Sequence, residues 1–116
     1  MLLRRNAMSA LDFDGLRIFD YTAGQSFDAS VAVVEVAPGA RHAAAWSRRS
    51  DKYYLLSAGQ IRFVIDGEPH FMRAGDFCFV KRGRRFSYSN QSSELATFIL
   101  VHTPSFDLRE EVLIGE

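Results

Sequence analysis

The sequence predicts an all-β sandwich or barrel, and three observations carry that prediction. β-Branched and aromatic residues gather in runs of four to eight. Gly, Pro and Asp divide those runs at short intervals. Beyond the chain ends, only residues 107–111 read as a helical turn, after Pro104. The chain has 116 residues, enough for one real core and not for two.

Taken in order, residues 1–15 form an N-terminal extension, and residues 16–116 form the barrel. The opening Met1-Leu-Leu-Arg-Arg-Asn6 has too short an apolar run for a secretory signal. Met8-Ser-Ala reads as naturally as a start as Met1 does. The first ten residues are expected to be poorly ordered unless a partner pins them. Strands are expected over 16–20, 30–37, 52–57, 60–65, 69–73, 77–80, 86–89 and 95–102. Asp66-Gly67 separates two of these and predicts a tight hairpin, because both central residues of a primed turn need positive φ. Pro38-Gly39, Ala58-Gly59, Ala74-Gly75 and Arg82-Gly83 punctuate the others.

Side chains alternate between the faces of a strand. Over 52–56, Lys52, Tyr54 and Leu56 share one face, and Tyr53 and Leu55 share the other. Both faces are largely apolar, so this strand is expected to be covered on both sides, within a packed barrel or at a subunit contact. Over 61–65, Ile61, Phe63 and Ile65 oppose Arg62 and Val64, the pattern of one buried face.

Apolar residues make up 47% of the chain and charged residues 24%, which is ordinary globular composition. Fourteen basic residues balance fourteen acidic ones, so no global field recruits nucleic acid or an anionic membrane. The basic clusters Arg48-Arg49 and Lys81–Arg85 read as a solvated rim, with the lip of an anionic-ligand site as the alternative. The single cysteine, Cys78, lies in an apolar run and reads as a small buried residue. With no disulfide possible within the chain, a cytoplasmic location is expected. No stretch reaches the length of a membrane span.

From Pro38-Gly39 onward the chain resembles the cupin superfamily. The first cupin motif is Gly, five residues, His-x-His, three or four residues, Glu, six residues, Gly. Gly39, Ala45, Ser47, Lys52 and Gly59 stand at those intervals. The second motif is Gly, five residues, Pro-x-Gly, two residues, His, three residues, Asn. Gly75, Lys81, Gly83, Phe86 and Asn90 stand at those. Gly39, Gly59, Gly75, Gly83 and Asn90 are retained, and the resemblance spans residues 30–105. It implies a double-stranded jelly-roll β-barrel, often a dimer that exchanges or pairs its N-terminal strand.

The same alignment implies that the usual metal ligands are gone. Metal-binding cupins converge two histidines, a glutamate and a third histidine on one ion. Here those positions carry Ala45, Ser47, Lys52 and Phe86. Two have no donor atom, a hydroxyl is a poor ligand for a transition metal, and an ammonium repels one. No metal or other cofactor is expected. His42, His70 and His102 form no short-range pair. His42 has the opposite parity to positions 45 and 47, so a regular strand points it away from the interior. All three read as isolated surface or rim histidines, with His102 kept as a candidate acid or base.

Lys52 inherits an inward-facing position. Either it finds a carboxylate or hydroxyls, with Ser47, Tyr54 and Tyr88 the same-face candidates, or burial turns it into a neutral amine. The first makes it an anchor for an anionic ligand oxygen, and the second a base or imine-forming nucleophile. The plain alternative is that it snorkels to the barrel mouth. Trp46 at the edge, with Tyr54, Phe86 and Tyr88 inside, is expected to line a pocket, although aromatic side chains also simply fill small barrels.

Three functions stay open, because a fold does not choose among them. The first is binding of a small, partly anionic molecule such as a sugar acid or keto acid through Ser47, Lys52, Tyr54, Phe86, Tyr88 and Trp46. The second is metal-free isomerase, epimerase, cyclase or lyase chemistry by Lys52, Tyr54 and His102. The third is an inert, filled structural or regulatory barrel. A homodimer is the expected partner state, without nucleic acid or membrane.

Overall fold

The computed structural model describes Met1–Gly115 and consists of two antiparallel sheets packed face to face. Glu116, assigned above to the barrel, lies outside the described residues. The strands are β1 (Leu11–Phe13), β2 (Leu16–Asp20), β3 (Ser30–Val36), β4 (Arg41–Ser47), β5 (Asp51–Ala58), β6 (Gln60–Ile65), β7 (Glu68–Arg73), β8 (Phe77–Val80), β9 (Phe86–Ser89), β10 (Ala96–Thr103) and β11 (Glu111–Gly115). One sheet has the order β1-β2-β3-β10-β5-β8 and the other β11-β4-β9-β6-β7. This is the jelly-roll arrangement, with sequence neighbours shared between two sheets.

Eight expected strands are present. Three more exist that sequence pattern missed. β1 pairs Leu11 with Ile18 and Phe13 with Leu16, so strand pairing begins ahead of Leu16. β4 contains Arg-His-Ala-Ala-Ala, which lacks the β-branched residues that mark a strand. β11 follows a single 3₁₀ turn at Leu108–Glu110, where Asp107 accepts a hydrogen bond from the Arg109 N–H at 3.0 Å. The helical turn expected at 107–111 is therefore present but short, and Glu111 already belongs to a strand.

The core lies between the sheets. Val34, Val36, Tyr54, Leu56, Phe98 and Leu100 project from one, and Ala45, Ile61, Phe63, Met72, Phe86 and Tyr88 from the other. The β6–β7 hairpin turns at Asp66 and Gly67, both with positive φ (49° and 82°), as the Asp-Gly signal predicts. Gly59 is needed for space as well as conformation. A Cβ there would sit 2.7 Å from the Ala96 Cα and the Leu95 carbonyl oxygen. Asn90 ties the end of β9 down, donating to the Val36 and Glu94 carbonyls at 2.9 and 2.7 Å. Among the described residues no helix is long and apolar enough to cross a membrane.

Candidate functional site

Three strands bring buried charge to one end of the barrel. β5 turns Lys52 inward, and β10 sets His102 directly opposite it in register. β11, the edge strand of the other sheet, supplies Glu111 across from Ser47 of β4. The Lys52 ammonium lies 2.7 Å from Glu111 Oε1 and 2.9 Å from His102 Nε2. Lys52 is only 3% exposed. Burial lowers its pKa, and the Glu111 carboxylate opposes that shift. Burial, then the adjacent ammonium, push His102 down to about 3. His102 is thus a neutral imidazole whose Nε2 accepts from Lys52. The second Glu111 oxygen, Oε2, is buried and has no hydrogen-bond partner among the described residues.

A second group meets the first from the opposite sheet. β4 pairs with β9 through His42–Tyr88 and Ala45–Phe86, with two residues between the pairs on β4 (Ala43 and Ala44) against one on β9 (Ser87). That extra residue is a β-bulge, which resets the inside–outside alternation. His42 therefore shares the inner face with Ala45. Its ring centroid lies 5.1 Å from that of Phe86 and 5.3 Å from that of Tyr88. The expectation that His42 points away assumed a regular strand and is corrected by this bulge. His42 Nδ1 lies 2.7 Å from the Ala43 carbonyl oxygen, so Nδ1 carries the proton and Nε2 is left as an acceptor. Burial lowers the His42 pKa, which favours this neutral form.

Tyr54 and Tyr88 complete the group, with ring centroids 5.8 Å apart. Burial raises the pKa of both phenols, so both remain protonated donors. Neither hydroxyl has a hydrogen-bond partner among the described residues. The two groups adjoin each other. The Lys52 ammonium lies 5.3 Å from the Phe86 ring centroid, and the Glu111 carboxylate acts electrostatically on both His42 and Tyr54.

Of the residues singled out from sequence, Lys52 and His102 come together, while Tyr54, Phe86 and Tyr88 form the adjoining aromatic wall. Lys52 does not snorkel, and its partners are Glu111 and His102 rather than Ser47, Tyr54 or Tyr88. Ser47 is buried, but its hydroxyl oxygen accepts the Ser50 and Arg49 N–H groups at 2.9 and 3.2 Å, which closes a turn. Trp46 is corrected outright. It is half-buried on the outer face, with the Arg48 guanidinium 5.5 Å from its ring centroid. Its parity opposes that of Ala45 and Ser47. Only His70 is an exposed histidine as expected.

Glu111 and His42 are the residues that sequence reasoning missed. The run Val112-Leu-Ile114 next to Glu111 was a readable strand signal. Nothing in Arg-His-Ala-Ala-Ala announces a bulge. A cavity of about 90 Å³ lies at this bulge, bounded by His42, Ala43, Ala44 and Tyr88 with the outward-facing Arg62 and Ser87. A larger one of about 370 Å³, along the β6–β7 edge and the Gln91-Ser92 turn, is lined by none of Lys52, His102, Glu111, His42, Tyr54 or Tyr88.

The cupin metal position does not fit an ion here. Ala45 and Phe86 offer no donor, Ser47 is engaged in its turn, and the Lys52 ammonium is held as a cation by Glu111. Among the described residues no three His, Cys, Asp or Glu side chains converge as a ligand set.

The fold and these positions define a cupin barrel, and the chain belongs to the cupin domain family, whose model matches residues 32–102. No curated protein matches the chain. Among solved structures it is similar to Pac13, described as a nucleoside dehydratase, at 22% identity and a TM-score of 0.86, covering 99% of this chain and 91% of that one. It is similar to a histidine-to-glutamine variant of Streptomyces Pac13 with uridine, at 23% identity, a TM-score of 0.81 and coverage of 94% and 86%. A predicted oxalate decarboxylase from Thermotoga maritima follows at 18% identity and a TM-score of 0.82, covering 90% and 99%. At such identities these likenesses speak to the fold.

Proposed function

We propose that this cupin binds a small hydroxyl-bearing organic molecule where His42, Tyr54 and Tyr88 meet, and performs acid–base chemistry on it without a metal. The observation that carries the reading is a pair of phenol hydroxyls, on buried rings, that make no hydrogen bond among the described residues, next to a neutral histidine whose Nε2 is an acceptor. Hydroxyls that find no partner in the protein keep their donor and acceptor capacity for a ligand. Neutral imidazole and protonated phenol are a base and an acid at neutral pH, the complement that isomerisation or elimination needs. This moves the proposed acid–base work from Lys52 and His102, which are engaged with each other, to His42 and the tyrosines.

The fold-level likeness to Pac13 and its uridine complex makes uridine the first probe to try. Isothermal titration calorimetry should show binding by the wild-type chain. Tyr88→Phe should weaken it about three- to tenfold, the worth of one neutral hydrogen bond. An inert barrel is the second reading, favoured by how fully Tyr54, Phe63 and Phe98 fill the interior. It prevails if a panel of nucleosides, sugars and keto acids all fail to bind.

We also propose a cytoplasmic homodimer. The outer face of the six-stranded sheet carries two apolar cross-strand rows, Val33–Ile99–Leu55–Phe77 and Val31–Val101–Tyr53–Phe79. Phe77 is 59% exposed. Such a patch suits the centre of an interface burying about 800 Å² per partner. Size-exclusion chromatography with light scattering should give a dimer, and Phe77→Glu should give a monomer.

A further inference from the structure

Building on the proposed interior site, we infer that Glu111 is a ligand-binding residue: its free oxygen accepts a hydrogen bond from a hydroxyl of an uncharged ligand, while Lys52 holds the other oxygen.

The two oxygens of this carboxylate are treated differently. Oε1 receives the Lys52 ammonium at 2.7 Å. Oε2 is shielded from solvent and receives nothing among the described residues. The Glu111 side chain is 10% exposed, so no bulk water stands in for the missing donor. A carboxylate oxygen can only accept, and leaving one unmatched in the interior is costly. A structural ion pair would be expected to satisfy both oxygens.

The surroundings limit what the donor is. His42 and His102 are neutral, Tyr54 and Tyr88 are protonated, and Lys52 and Glu111 cancel each other's charge. Among these interior groups an anionic ligand would therefore meet no uncompensated cation, and would meet a carboxylate oxygen. This reverses the expectation that Lys52 anchors an anion, because Glu111 already occupies it. A hydroxyl group fits: it donates to Oε2 and accepts from a tyrosine. A ligand with two hydroxyls would engage Glu111 and the phenols together.

The test is calorimetric titration with uridine, its 2′-deoxy and 3′-deoxy counterparts and its 5′-carboxylate. The proteins are wild type, Glu111→Gln, and the double variant Lys52→Met with Glu111→Leu, which removes both charges at once. In the wild type, deleting one of the two ring hydroxyls should cost at least about tenfold in affinity, as expected for a hydrogen bond to a charged group. In the double variant that penalty should disappear. The 5′-carboxylate should bind the wild type more weakly than uridine, and Glu111→Gln should narrow the gap. Wild-type binding with the same hydroxyl penalty in the double variant overturns this inference and leaves the proposed function standing. Failure of the wild type to bind any of the four probes overturns this inference, while the proposed function stands or falls on the wider panel of nucleosides, sugars and keto acids.

Discussion

Replacing Glu111 with Ala should destabilise the protein by about 3–5 kcal/mol, because it leaves the Lys52 ammonium buried without its counter-ion. The geometry makes this loss large. Lys52 has two partners, and only one carries charge. His102, pushed down to about 3, remains neutral and offers a single lone pair. The double change Lys52→Met with Glu111→Leu should behave oppositely. Removing both charges together also removes the unmatched Oε2, so the double variant should be at least as stable as the wild type. Urea denaturation of the wild type, Glu111→Ala and the double variant measures both effects. A single-variant loss below about 1 kcal/mol would mean that Lys52 reaches water. A double variant as unstable as the single one would mean that the pair is needed for folding. The contrast has a functional corollary: a pair that costs nothing to remove as a unit is not explained by stability, which is what the proposed ligand contact requires.

The sequence carried the frame of the barrel much further than it carried the site. Gly59 and Asn90, two of the retained cupin anchors, do work that fixed spacing reveals: Gly59 lets β5 pass close to Ala96, and Asn90 links the end of β9 to β3. The inward direction of Lys52 was legible for the same reason, since it rests on a spacing. Its partners were not. His102 meets Lys52 through strand register, and Glu111 arrives on a strand that begins after the last anchor and pairs with the distant β4. His42 was misplaced by treating β4 as an unbroken run, and Trp46 by placing it at the pocket edge against its own parity. Parity within a regular strand puts Trp46 outside, where it is found. One extra residue between His42 and Ala45 brings His42 inside, and no local sequence signal marks that residue. Bulges and non-local edge strands are set by tertiary packing, and here they position the groups on which function is proposed to rest.

His102 should also leave a signature in the pH dependence of stability. It titrates near 3 in the folded protein, against about 6.5 for an unperturbed histidine. Between those values the unfolded chain takes up a proton that the native chain refuses, so stability is retained above about pH 6.5 and falls as the pH drops toward 3. Each histidine of this kind contributes a slope approaching 1.4 kcal/mol per pH unit, with the approximate value set by one proton. Burial lowers the His42 pKa too, so His42 adds to the same slope. Asp107, held at about 2 by its hydrogen bonds from Arg109, has the same sign but acts lower, below the usual carboxylate range. Urea midpoints between pH 4.5 and 6.5 therefore isolate the histidines. His102→Gln keeps an acceptor for Lys52 and cannot take up a proton, so it should flatten the slope without abolishing it. Equal slopes for the wild type and His102→Gln would show that the folded protein admits a proton at His102. Two cations would then share one carboxylate, and the neutrality from which an uncharged ligand was inferred would be lost.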